Sequence, residues 1–129
     1  MNASEEAIAA VLATYQDASD TDAVMKLYAA DGVFMPQNFP SSVGAEAVRR
    51  AYEGVFDAIT LSVTFHVAEI HQVAPEWAFA RTNSAGTATV HATGGKSTEG
   101  NQELFVFQKI GDAWKIARYC FSTTNSPHS

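Results

Sequence analysis

The hydrophobic period of this chain changes once, at about residue 60, and that change sets the architecture. Before it, apolar residues recur at helical spacing; from Leu61 they alternate. Ile8, Val11, Leu12 and Tyr15 mark one face of a helix expected to start after Ser4, with Ser4 as its cap. Glu5 and Glu6 then sit at its positive end. A second, short helix is predicted after a cap at Asp20 or Thr21, turning Val24, Leu27 and Tyr28 inward and stopping at the Asp31-Gly32 turn. Val33, Phe34 and Met35 read as a brief strand that Pro36 ends. A loop from Gln37 to Ser42 leads to a third helix from about Gly44, with Val48, Ala51, Tyr52 and Val55 on one face.

Beyond the switch, Leu61, Val63, Phe65 and Val67 alternate with Ser62, Thr64, His66 and Ala68, the period of a half-buried strand. A turn near Ala74-Pro75 separates this run from a long strand, Trp77 to about Ala92, and Gly94-Gly95 is the next turn. Two last strands flank Gly111-Asp112. Helices first and strands after is an α+β pattern: a cone-shaped, curved antiparallel sheet with three N-terminal helices packed on its concave face. Residues 1–129 read as one domain. An interior between two such layers is where pockets form.

A formal charge of −6 excludes the basic footprint that nucleic acid requires. No apolar run reaches the roughly 18 residues of a membrane span. The acidic N-terminus leads into a helix rather than a secretory signal. A lone cysteine, Cys120, forms no internal disulfide, so a cytoplasmic location is expected.

Glu103 is the residue on which functional reading turns. It opens the penultimate strand on the same side-chain parity as Phe105 and Phe107, and a carboxylate on a core-facing row is costly unless paired or used. In the preceding strand the larger residues Phe79, Arg81 and Asn83 share one parity and the small Ala78, Ala80, Thr82 and Ser84 the other. Size places the odd row toward the helices. On the last strand the matching row is Ala117, Tyr119 and Phe121. The expected constellation is therefore Arg81, Asn83, Glu103 and Tyr119 in an apolar cup with Phe34, Met35 and Phe105, to which Phe121 and Tyr15 add. Glu103 would act as general acid or base while Arg81, Asn83 or Tyr119 stabilises an oxyanion. The competing reading is a buried Arg81–Glu103 ion pair that orients the sheet and touches no ligand.

Other polar residues suggest less. His66 and His71 fall on opposite faces of an unbroken strand, and His91 beside Gly94-Gly95 is expected to be exposed, like His128 in the tail, so no metal site is predicted. Cys120 reads as a small buried hydrophobe. Gly94-Gly95 lacks the following helix of a phosphate cradle, and no flavin, nicotinamide or other cofactor signature is present. Arg118 shares parity with Trp114, Ile116 and Cys120. With Leu104 and Val106 these make the last two strands apolar on both faces, which predicts a homodimer through the convex sheet face.

The order of elements, with LYAADGVFM from Leu27 to Met35, VGAEAVR from Val43 to Arg49 and WKIARY from Trp114 to Tyr119, resembles the nuclear-transport-factor-two-like superfamily. That group includes ketosteroid isomerase and the SnoaL-like polyketide cyclases. The run Asn-x-Glu-Leu-Phe-Val-Phe from Asn101 to Phe107 is similar to the SgcJ/EcaC group within it. The resemblance implies a ligand-sized pocket and matches Glu103 to the isomerases' second oxyanion acid. It sets Met35 and Pro36 where those enzymes carry their catalytic aspartate, and Leu12 near their oxyanion tyrosine. The function so implied is binding of a small, apolar or aromatic bacterial metabolite, polyketide-like or a cyclic carbonyl compound, with isomerisation, cyclisation or dehydration as the chemistry. The alternative is a non-catalytic dimeric module that binds a ligand or a protein. A cavity of roughly 300 Å³ or more reached by Glu103 favours the first reading; one plugged by Tyr15, Phe105 and Tyr119 favours the second.

Overall fold

The computed structural model describes residues 1–126; His128 lies outside them. Helix α1 spans Ala3–Asp17, α2 Thr21–Met25 and α3 Ala45–Ala58. The strands are β1 Tyr28–Met35, β2 Ser42–Val43, β3 Ile59–Ala74, β4 Trp77–Val90, β5 Lys96–Ile110 and β6 Ala113–Thr123. They form one curved, unclosed sheet in the order β2-β1-β6-β5-β4-β3. Helix α1 packs on β3 and β6, and α3 on β1, β2 and β3, so the α+β class and the one-sided helical cover are those the period switch predicts.

The first two helices start where a side chain answers the orphan amides, whereas α3 follows Gly44, which offers none. Asn2, not Ser4, caps α1: its Oδ1 accepts from the Glu5 amide at 2.8 Å while Glu5 Oε1 accepts from the Asn2 amide at 3.2 Å. This reciprocal box outranks a lone serine two residues on. Asp20 caps α2 through the Ala23 amide. Ile8 and Leu12 from α1, Val24 from α2, and Val48 and Tyr52 from α3 then bury against Phe105, Phe107 and Ile116 of the sheet.

Three local departures shape the inner face. First, α2 stops at Met25 and Tyr28 already belongs to β1, so Asp31-Gly32 is an irregularity inside a strand rather than the end of a helix. Strand β1 runs parallel to β6, with Tyr28 beside Ile116 and Phe34 beside Tyr119, so the sheet is not antiparallel throughout. A parallel pair needs a long crossover, and most of the chain lies between these two strands. Second, β6 bulges at Ala117: Val106 faces Arg118, yet Phe107 faces Ile116. One extra residue inverts the alternation. Trp114, Ile116 and Tyr119 are therefore all buried, and the predicted common face of Trp114 and Ile116 with Arg118 and Cys120 does not exist.

Third, β3 and β4 approach so closely at Gly86 that a Cβ there would lie 2.0 Å from the Ser62 carbonyl oxygen and 2.7 Å from the Val63 Cα. Both obstacles are backbone and cannot swing aside. Gly86→Ala is expected to lower stability by about 1–3 kcal/mol, read as a shifted denaturation midpoint; an unchanged midpoint would show that the strands can part without cost.

Candidate functional site

Glu103 stands on the inner face of β5, two residues before Phe105, and is only 4% exposed. Its register partner on β4 is Thr82. The Thr82 hydroxyl donates to Oε1 at 2.6 Å and the Ser84 hydroxyl donates to Oε2 at 2.6 Å, so both carboxyl oxygens are satisfied by β4. Burial pushes the Glu103 pKa up, and the Ser84 and Thr82 hydroxyls pull it back in part. The two effects oppose each other, and burial is the larger.

Beside it lies a chain of phenols drawn from three elements. The Tyr52 hydroxyl of α3 is 2.8 Å from that of Tyr15 on α1 and 2.7 Å from that of Tyr28 on β1. Burial raises the pKa of all three, so each is a neutral donor. Tyr119 is raised too, by burial and then by neighbouring Tyr15 and Glu103. Phe34 and Tyr52 stack at 4.5 Å, and Tyr119 and Phe105 at 4.1 Å, closing the apolar wall around the hydroxyls.

These groups border a cavity of about 480 Å³ between the sheet and the C-terminal ends of α1 and α3. Tyr15, Phe34, Tyr52, Glu103, Tyr119 and Phe121 line it, and Val63 and Phe65 of β3 complete its apolar side. Its size exceeds the roughly 300 Å³ of a small-molecule site. Tyr15 and Tyr119 form its walls rather than a plug, and Phe105 lies fully buried behind Tyr119. A second recess, between Met25, Ala30, Glu46 and Arg49, opens to solvent and has no buried carboxyl.

The fold brings together Glu103, Tyr119, Phe34, Phe121 and Tyr15, but not Arg81 or Asn83. Those two point from the outer face: Arg81 Nε donates to Glu69 Oε2 at 2.6 Å, and Asn83 is exposed beside His66 in register. The inner row of β4 is the small one, Ala78, Ala80, Thr82 and Ser84. Small side chains make room there for Phe105 and Phe107, so size misreads the face. An Arg81–Glu103 ion pair is therefore absent. Met35 is 41% exposed and lies outside the cavity wall, because alternation in β1 turns Phe34 inward instead. Leu12 packs in the core, and Tyr15, one turn later, is the phenol of α1 that reaches the cavity.

Tyr28 and Tyr52 were visible in the sequence only as inward residues of helix faces; the clue is that a buried phenol needs a partner for its hydroxyl. His91 also belongs to the wall. Its Nδ1 is 2.8 Å from the Asp57 carbonyl, which can only accept, so Nδ1 carries a proton, and Nε2 is hydrogen-bonded to the Thr60 hydroxyl at 2.6 Å.

A model of the SnoaL-like domain matches residues 8–118. The chain belongs to the SnoaL-like family. Among solved structures, a ketosteroid isomerase-like protein from Erwinia carotovora atroseptica shares 32% identity, with a TM-score of 0.92 over 98% of this chain and 100% of that one. At the level of fold alone, LinA superimposes with a TM-score of 0.81 at 11% identity, over 95% of this chain and 87% of LinA. A protein provisionally assigned as a scytalone dehydratase from Novosphingobium aromaticivorans does so at 0.77 and 18%, over 93% and 83%. No protein of curated function matches the chain in sequence.

Because its folded pKa is raised, protonated Glu103 contributes stability that is complete below the unfolded value and is lost as pH climbs through the folded one. The unfolding free energy of wild type minus that of Glu103→Gln should accordingly fall as pH rises from about 4.5, then level off. Denaturant titrations across that window check this; a difference independent of pH would place the carboxyl at its ordinary pKa.

Proposed function

We propose that this SnoaL-like protein binds a small, largely apolar carbonyl compound, polyketide-like or cyclic, and assists proton transfer on it. Isomerisation, cyclisation and dehydration all proceed through an enol or enolate, and all need a hydrogen-bond donor at the carbonyl oxygen. The observation that carries this reading is a buried Glu103 on the wall of the same cavity as Tyr15 and Tyr52, whose hydroxyls are joined in a chain that ends at Tyr28 outside the wall. Neutral Tyr15 is the donor to the developing oxyanion, while ionised Glu103 takes the proton from the carbon next to the carbonyl and then returns it to the new position or to a leaving hydroxyl. Binding without turnover keeps one observation in its favour: Thr82 and Ser84 already satisfy both Glu103 oxygens, as they would for a purely structural carboxyl.

A thermal-shift screen of aromatic, steroid-like and polyketide-like carbonyl compounds tests the pocket, since a ligand of the native state raises its melting temperature. Hits are expected among compounds with a carbonyl on a rigid apolar frame. Glu103→Gln should still bind them but lose turnover by about 10²-fold or more, the usual worth of a positioned acid or base. Unchanged turnover would remove Glu103 from the chemistry and leave a binding module.

The outer sheet face supports a dimer reading. Leu104 is 44% exposed there, with Phe79, Val106 and Cys120 partly exposed around it. An apolar centre rimmed by Arg81, Glu69 and Arg118 has the anatomy of a two-fold contact. Leu104→Glu should convert a dimer to a monomer in size-exclusion chromatography with light scattering; a wild type that elutes as a monomer at micromolar concentration refutes it.

A further inference from the structure

The distribution of charge around the cavity separates possible ligands more sharply than its shape does. None of the eight lysines and arginines contributes to the cavity wall, whereas the carboxylates of Asp17 and Glu99 do, and Glu103 adds no positive charge in either protonation state. Several cations are engaged elsewhere: Arg49 with Asp22 at 2.6 Å, Arg81 with Glu69 at 2.6 Å, and Arg118 with the Ala117 and Asp31 carbonyls. The ring of His91 spends Nδ1 on the Asp57 carbonyl and Nε2 on Thr60.

The helices add to this field. Residues 15–18 of the wall are the last turn of α1 and its cap, and Val55, Phe56 and Ile59 are the last turn of α3 and its cap. Both long helices thus present their C-terminal ends to the cavity, where the macrodipole is negative, and neither carries a basic residue in its last turn. The remaining wall is rich in aromatic faces, which attract cations and repel anions. Carboxylates, helix ends and rings all act in one direction.

We infer that the cavity selects its ligand by charge: it rejects an anionic group at its mouth and favours a protonated amine there, with the carbonyl end directed to Tyr15 and Glu103. The inference rests on the ligand-binding reading above and narrows it to carbonyl compounds that carry no carboxylate, phosphate or sulfate. Asp17 is exposed and Glu99 partly buried, so these two are the specificity residues of the mouth.

The test uses three ketones on one frame: 2-acetylnaphthalene, its 6-aminomethyl derivative and its 6-carboxylate. Dissociation constants are measured calorimetrically at neutral pH. The ammonium compound is expected to bind tightest and the carboxylate weakest, with a spread of roughly tenfold or more. Raising salt to about 0.5 M should narrow the spread, because the mouth charges are open to screening. Glu99→Gln combined with Asp17→Asn should improve the carboxylate more than the parent ketone. A carboxylate within about twofold of the ammonium compound overturns charge selection while leaving the pocket reading intact. Failure of all three to bind overturns both.

Discussion

The stack of Phe105 on Tyr119, ring centroids 4.1 Å apart and planes within 7°, is the contact on which the rest of the inner face is built. It bridges β5 and β6 at directly opposed residues. Phe107 extends it toward the core, Phe34 continues it onto β1, and Tyr15 meets both rings edge-on from α1. Each fully buried aromatic contributes about 1.5–3 kcal/mol from area alone. Because the rings interlock across three strands and a helix, they behave as one rigid body. The cavity is the space that this body and the ends of α1 and α3 leave between them.

Glu103 sits where that aromatic body gives way to hydroxyls. An arginine partner would have held the carboxyl in its ionised form. Two donating hydroxyls favour the ionised form as well, but less than burial opposes it. A group of this kind can gain and lose a proton as its surroundings change, and filling the cavity with an apolar ligand would itself be such a change. Placement against Thr82 and Ser84 thus turns a packing problem into a titratable wall.

Much of this was legible in residue order. The period switch near residue 60 gives the layers, the Gly111-Asp112 turn gives the last hairpin, and the row of Glu103 with Phe105 and Phe107 gives the face. Two rows depart from their sequence pattern for separate reasons. Side-chain size favours the odd row of β4, but the loop fixes the face: a hairpin whose loop holds an even number of residues sets odd residues opposite even ones, so Glu103 must face Thr82 and not Arg81. Strict alternation carries the row of Trp114 on to Arg118, but a bulge at Ala117 reverses it. Nothing in the composition of β6 announces that bulge. The phenol chain is hidden for a different reason: Tyr15, Tyr28 and Tyr52 come from separate elements, and only the packing of α1 over β3 and β6 and of α3 over β1 brings their hydroxyls together.

The parallel seam between β1 and β6 also governs the order in which the molecule can be made. Tyr28 and Phe34 leave the ribosome well before their strand partners Ile116 and Tyr119, which lie more than eighty residues further along the chain. Until then the two N-terminal helices and β1 have no sheet centre to dock on, and contacts of such long sequence separation form slowly. The cavity wall is therefore complete only once β6 is in place. A nascent chain halted before β6 would carry its aromatic residues exposed, which makes the final strand the point at which this protein passes from a hazard to a fold.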